Sequence, residues 1–145
     1  MNSFNKNIEI RWADLDPNFH VLHSKYYDFG AYCRMAFLVE NGLTPAMMVK
    51  HKVGPILFRE ECIFKKEIRP DDVVTIDINL IKAKKDYSRF TIRHKIKKEP
   101  GIISAILTVD IAWLNGLTRK LAVLPEEDIK LLEHGPFADD FQWLN

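Results

Sequence analysis

Apolar and polar residues alternate from Phe4 to Trp12. Phe4, Ile8, Ile10 and Trp12 fall on one side and Asn5, Asn7, Glu9 and Arg11 on the other, with Lys6 the one break in the pattern. Period two predicts a half-buried strand. The period then changes. Beyond the polar stretch ADLDPNFH, residues Tyr26, Phe29, Gly30, Cys33, Ala36 and Phe37 recur at helical spacing, and Tyr27, Ala31, Met35, Leu38 and Val39 widen the apolar surface past one stripe. Ser24 is placed to cap this helix and Asn41-Gly42 to end it. A helix that is apolar nearly all round belongs in an interior. Thr44 and Pro45 open a short second helix through Lys50, with Thr44 as its cap.

Four strand-like runs follow. Ile56, Phe58, Cys62, Phe64 and Ile68 alternate with Leu57, Arg59, Glu61, Lys65 and Glu67, and Arg69-Pro70-Asp71-Asp72 reads as a turn. Val74, Ile76, Ile78 and Leu80 form the next apolar face, then Phe90, Ile92, His94 and Ile96, then the unbroken series Ile103, Ala105, Leu107, Val109, Ile111 and Trp113. Pro125-Glu126-Glu127-Asp128 starts a last helix, its acids in the turn that the helix dipole favours. The order is strand, long buried helix, then four strands in a meander. Short turns join antiparallel neighbours. An antiparallel sheet must bury one face, and the only large apolar object available to it is the helix Ser24–Asn41. The expected fold is α+β, an antiparallel five-stranded sheet wrapped around a long central helix, which is the hot-dog architecture. One domain spans 1–145, with a core over about 4–124 and a C-terminal helix and tail over 125–145.

Composition supports a single ordinary domain. The chain has 145 residues, 47% hydrophobic and 28% charged, enough to bury a core without a disulfide or a metal. The 21 Lys and Arg against 20 Asp and Glu argue against a dedicated nucleic-acid binder. No run approaches the roughly 18 apolar residues of a membrane span, and MNSFNKNIEIRWAD has no apolar segment of a secretory signal. Cys33 and Cys62 form no CxxC, so they are expected as free thiols in a reducing cytoplasm.

The densest polar cluster is Asp14, Asp16, Asn18, His20 and His23, directly ahead of the central helix. Four chemistries fit such a group. A carboxylate beside a helix N-terminus sits near backbone N–H groups that suit a developing oxyanion, so Asp16 would attack a carbonyl or activate water, with Asn18 and the histidines orienting either partner. Two Asp and two His within ten residues are also metal-ligand types, although Pro17 keeps His20 and His23 off one helical turn. The plain structural alternative is a set of Asx turns and caps, the reading taken for Asp14. Cysteine or serine nucleophiles fit least. Cys33 and Cys62 lie on apolar faces as small core residues, and no GxSxG is present.

RWADLDPNFHVLHSKYYDF resembles the opening of hot-dog thioesterases of the 4-hydroxybenzoyl-CoA thioesterase type. That family shows an aromatic strand end, D-x-D, a short turn and a step into the helix. The resemblance implies that Asp16, the second Asp of the D-x-D, is the catalytic carboxylate. The segment is also similar to the acyl-ACP thioesterases, whose motif places Asp, Asn and His on Asp16, Asn18 and His20. His23 falls where bacterial acyl-CoA members often carry His. Phe19 stands where many members have Gly, which implies a narrower acyl site. Asp28 and Glu40 read as polar-face residues, which leaves Asp16 as the one strong carboxylate.

Residues 82 to 98 hold Lys82, Lys84, Lys85, Arg89, Arg93, Lys95, Lys97 and Lys98 against Asp86 alone. A solvated strand face accounts for the last three. The resemblance implies that Lys84, Lys85, Ser88 and Arg89 hold coenzyme A phosphates at a pocket mouth, where fixed positive charge is needed. Ser24 and Tyr26 join them as expected substrate-binding residues. The expected function is hydrolysis of an acyl-CoA or acyl carrier protein thioester to free acid and thiol, with no cofactor and no metal. A hydratase or dehydratase acting on acyl-CoA and a non-catalytic acyl-binding module are the alternatives. Tyr26, Tyr27, Phe29, Met47, Met48, Ile56, Leu57 and Phe58 are candidate pocket residues. The exposed edge over Val53–Ile68 implies a homodimer, or a tetramer of two dimers, and the resemblance implies that a second protomer supplies the other wall of the cleft.

Overall fold

A computed structural model describes residues 3–144. Strand β1 (Asn5–Ile8) leads through a 3₁₀ turn (Trp12–Asp14) and a loop into helix α1 (Lys25–Glu40). Helix α2 (Pro45–His51) and strand β2 (Val53–Phe64) follow. Then come β3 (Val74–Asp77), β4 (Asn79–Lys84), β5 (Arg89–Lys98) and β6 (Ile102–Asn115). The short β7 (Leu121–Ala122), helix α3 (Glu126–Leu132) and β8 (Phe137–Leu144) close the chain. The sheet wraps around α1, whose Tyr26, Phe29, Gly30, Cys33 and Phe37 are buried against it. This is the hot-dog arrangement that the alternating faces require.

Several elements depart from the sequence expectation. The first strand stops at Ile8 rather than Trp12. Asp14 is fully buried, takes the Arg11 backbone N–H at 2.9 Å and pairs with the Arg11 guanidinium at 3.0 Å, and that clasp curls the chain into the 3₁₀ turn and leaves Trp12 80% exposed. Ser24 stands at the head of α1, but its hydroxyl accepts no N–H. Its backbone is already helical (φ −68°, ψ −22°), and a capping side chain needs the extended geometry that Thr44 has at the head of α2 (φ −81°, ψ 164°). Thr44 accordingly takes the Met47 N–H at 3.2 Å.

The four-strand meander is realised only in part. The run Val74–Leu80 and its continuation form one bent strand, β3 and β4, which pairs β5; β5 pairs β6. Strand β2 does not pair β3. It crosses to the far side and pairs β6 from Val53↔Asn115 to Phe64↔Ala105. The connection 65–73 is a crossover, not a hairpin: Ile68 is buried within it, and its carbonyl accepts the Val21 N–H at 2.9 Å. The tail is not loose either. β8 runs parallel to β4, from Leu80↔Phe137 to Lys84↔Leu144, and covers that edge. α1 is buried on one face only. Tyr32, Met35 and Val39 are 51%, 46% and 41% exposed. Among the described residues no helix is long and apolar enough to cross a membrane.

Candidate active site

The loop between the 3₁₀ turn and α1 is folded around Asp16. Its Oδ1 accepts the backbone N–H of Asn18 at 2.9 Å and of His20 at 3.2 Å. The Asp16 N–H donates to the His20 carbonyl at 2.8 Å, and the Phe19 N–H to the Asp16 carbonyl at 3.0 Å. The turn forces Phe19 to φ +61°, the left-handed region that favours glycine. The usual Gly at this position thus has a backbone reason. The Phe19 ring does not fill a site. It is 54% exposed and meets Trp12 edge-on at 6.0 Å.

The loop is tied to the crossover. His20 Nε2 lies 2.7 Å from Glu67 Oε2, the Leu22 N–H donates to the Asp14 carbonyl at 2.7 Å, and Leu15 bridges Val21. Burial alone would raise the Asp14 carboxyl, but the side-chain and backbone hydrogen bonds of Arg11 and its charge hold it below the ordinary carboxylate range. Asp14 is therefore structural. Asp16 is only half-buried.

Asp16, Asn18 and His20 share one turn. His23 and Ser24 are exposed beside it at the head of α1. Tyr26 is not on the surface of the site. It is 3% exposed, meets Phe64 edge-on at 5.0 Å, and burial pushes its hydroxyl up to about 12, so it is a floor beneath the loop rather than a substrate contact. Among the described residues no three His, Cys, Asp or Glu side chains converge to hold a metal. Cys33 and Cys62 are free, and burial pushes both thiols up to about 12, so neither is a ready nucleophile.

Lys84, Lys85, Ser88 and Arg89 sit at the opposite end of the sheet. Lys98 Nζ reaches the Glu67 carbonyl at 2.7 Å, which marks the Asp16 end of β5. Arg89 opens that strand at the other end and pairs with Ala112. Nine residues of extended chain separate the two, about 30 Å at ~3.4 Å per residue. One protomer alone does not bring the basic turn to the loop. At the turn, Arg89 lies over the Phe58 ring at 4.8 Å and Lys85 over Trp143 at 5.9 Å. Arg93 is taken out of the basic run by Asp140 (3.0 and 3.1 Å), and Lys98 by Asp72.

A cavity of about 200 Å³ lies between α1 and the sheet. Of the candidate pocket residues named from sequence, only Leu57 lines it; Met48 and Ile56 line a different surface hollow beside α2. Its single charged residue is Arg34. Arg34 Nη1 lies 3.1 Å from His94 Nε2, and Nη2 lies 3.6 Å from Glu60. His94 is fully buried, and its Nδ1 donates to the Asp77 carbonyl at 2.7 Å. Burial, with the Arg34 charge adding to it, pushes His94 down to about 3. The sequence reading did not single out Arg34; a lone Arg on an apolar helix is the signal that could have found this cluster.

The sequence model described as the thioesterase-like superfamily matches residues 10–133. A search of the curated proteins finds no match. Solved structures share the fold. A Staphylococcus aureus protein determined in complex with CoA is similar at 20% identity and TM-score 0.84, over 92% of this chain and 83% of that one. The DHNA-CoA thioesterase of Staphylococcus aureus is similar at 20% identity and TM-score 0.77, over 86% and 82%. A 1,4-dihydroxy-2-naphthoyl-CoA thioesterase from Synechocystis is similar at 17% identity and TM-score 0.78, over 92% and 99%.

Proposed function

This chain belongs to the thioesterase-like superfamily, and on that premise we propose that the thioester it cleaves is an acyl-coenzyme A, hydrolysed to the free acid and the thiol. One observation carries the site assignment: Asp16 is a half-buried carboxylate held by its own turn in the loop that leads into α1, where Ser24 leaves the first-turn N–H groups without a side-chain cap. Asp16 serves as the base for water or as the attacking carboxylate itself; both require it ionised. The first-turn N–H groups take the charge that develops on the thioester oxygen. Asn18 and His23 flank the reacting group, and Glu67 orients His20.

Coenzyme A is favoured over a carrier protein as the thiol because a structure of the same fold holds CoA. Lys84, Lys85, Ser88 and Arg89 take its phosphates. Because they lie at the far end of the sheet from Asp16, the site is completed by a second protomer. Among the described residues β2 pairs β6 alone, on one side, and it exposes Leu57, Phe58, Ile63 and Phe64 at 45–52%. Antiparallel pairing of β2 with its two-fold copy sets the Phe64 end of one chain, beside the Asp16 loop, against the Leu57 end of the other, beside the basic turn. The free thiols of Cys33 and Cys62 fit a cytoplasmic home.

The test is a thiol-release screen over short, long and aromatic acyl-CoAs and the matching acyl carrier protein thioesters. Release from a saturated acyl-CoA supports hydrolysis, since that substrate has no double bond to hydrate. Release from carrier protein thioesters alone reassigns the thiol. Silence across the panel, with ligand-induced stabilisation retained, makes the protein an acyl-binding module.

A further inference from the structure

Strand β8 carries an aromatic cluster that the Asp16 turn does not use. β8 runs parallel to β4 with Ala83 opposite Trp143 and Lys84 opposite Leu144, so Trp143 stands beside the basic turn. Three rings support it. Phe141 meets it at 4.9 Å and 85°, Tyr87 at 5.9 Å and 78°, and Phe137 at 6.4 Å and 57°. Tyr87 is buried, and Phe137 and Phe141 are half-buried. Trp143 itself is 45% exposed. Among the described residues no ring lies flat on the indole, and the cation over its face is Lys85 Nζ, 5.9 Å from the ring centroid.

The charge around this ring has one sign. Among the described residues neither Lys84 nor Lys85 forms an ion pair. Asp86, the only acid of the turn, is held within it, where its Oδ1 accepts the Ser88 N–H at 2.9 Å. An ammonium over an exposed indole is only weakly held there, since water solvates it well. A tryptophan left this open also forgoes much of the stabilisation that burying its ring would bring. Open aromatic faces set among cations are how proteins hold nucleotides without reading their sequence: every base has a face to stack, and every phosphate a charge to neutralise.

Resting on the coenzyme A reading above, we propose that Trp143 is the platform on which the adenine ring of that coenzyme stacks. The base takes the indole face that Lys85 covers, and the Lys85 ammonium moves to a phosphate, exchanging a neutral partner for an anion. The β4–β5 turn and β8 then hold the nucleotide end of the substrate, while Asp16 acts on the thioester end.

The experiment titrates the full chain with adenosine 3′,5′-bisphosphate and, separately, with inorganic pyrophosphate, following tryptophan emission. The bisphosphate is expected to quench that emission and to bind at least about tenfold more tightly than pyrophosphate, the scale of one base–aromatic stack. Trp143→Phe, which keeps a ring in the cluster, is expected to abolish the quench, because Trp12 stands beside Phe19 and Trp113 against Phe90. A quench that survives in Trp143→Phe, or equal binding of the two anions with unmoved emission, overturns the platform. Trp143→Ala is expected to lower the preference for an acyl-CoA over the acyl-pantetheine of the same chain about tenfold, read as the ratio of their kcat/KM values. An unmoved ratio beside a wild-type quench means that the ring takes free nucleotide, and it overturns the assignment to coenzyme A. The wild-type and Trp143→Phe titrations decide even if Trp143→Ala fails to fold. Thiol release from acyl-CoA without a bisphosphate quench defeats the platform and leaves the hydrolase reading standing. A quench lost in Trp143→Phe, with no thiol release from any thioester, defeats the hydrolase reading and sustains the platform.

Discussion

Asp16 Oδ1 accepts the backbone N–H of His20 at 3.2 Å, so the carboxylate assigned to catalysis is also the peg around which its own loop folds. The two roles separate by substitution. In Asp16→Asn the amide oxygen still accepts from Asn18 and His20, but no charge remains. Hydrolysis is expected to fall by about 10²–10⁴-fold, the range of one general base, with the melting midpoint near wild type. Asp16→Ala loses the acceptor as well and is expected to cost about 0.5–2 kcal/mol in addition. Steady-state thiol release and thermal melts of both variants check this. Wild-type rates in the Asn variant would remove Asp16 from the mechanism.

His94 sets an acid limit on stability. The folded protein keeps it neutral down to about pH 3, whereas an unfolded histidine takes a proton near pH 6.5. Between those values the unfolded state binds more protons, so the contribution is fully present above about pH 6.5 and is lost as pH falls, by about 1.4 kcal/mol per unit. Asp77, whose carboxyl burial raises, works in the opposite sense and shallows the slope at the acid end. Denaturant melts from pH 7 to 4.5 are expected to show a loss of about 2–3 kcal/mol, diminished in His94→Gln. A flat profile over that range contradicts the buried neutral assignment.

Gly30 makes room for the Arg34–His94 contact. A Cβ there would stand 2.4 Å from Leu107 Cδ2, 3.1 Å from Arg34 Nη1 and 3.4 Å from His94 Cδ2. Leu107 is fully buried, so its methyl has no open space to move into. Gly30→Ala brings up to about 1 kcal/mol of helix propensity but overpacks the core by about 1–3 kcal/mol. A net loss of stability is expected in denaturant titration. A stabilised Ala variant would show that the helix and sheet separate easily at this point.

The elements legible in the sequence were those whose pattern one neighbour determines. The period-two faces of β5 and β6 are set by packing on α1, and Thr44-Pro45 carries the local chemistry of a helix start. What was not legible depended on distant partners. The Arg69-Pro70 segment has turn composition, but whether it makes a hairpin or a crossover depends on Ile68 finding Val21 some fifty residues back. β8 hides its period because its register against β4 jumps between Leu80↔Phe137 and Lys82↔Gln142, so Asp139-Asp140 interrupts the alternation. In the site, the Asp16 turn was visible as a motif. The Arg34–His94 contact was not, because it joins residues sixty positions apart.

Strand β2 presents twelve residues of edge, pairs β6 on one side and leaves Ile63 and Phe64 half exposed on the other. Long apolar edges invite pairing, and the separation of the basic turn from Asp16 supplies a functional reason for it. The protein is expected to sediment at micromolar concentration at twice the chain mass or a multiple of it, with a melting midpoint that rises with concentration because folding and association are linked. Ile63→Lys places a charge on the expected two-fold seam without touching the Asp16 turn or the basic hairpin. It is expected to yield folded monomer by circular dichroism and to lose most thiol release, even though every proposed site residue is intact. Mixing that tests sharing directly uses two dead variants: Asp16→Asn and a Lys84→Ala/Lys85→Ala/Arg89→Ala chain, each inactive alone. If a site draws Asp16 from one protomer and the basic turn from the other, heterodimers contain one complete site, and activity returns toward a quarter of wild type at equal mixing, since half of the dimers formed are mixed and each carries one working site of two. No recovery on mixing, or full activity in a clean monomer, would place the whole site within a single chain.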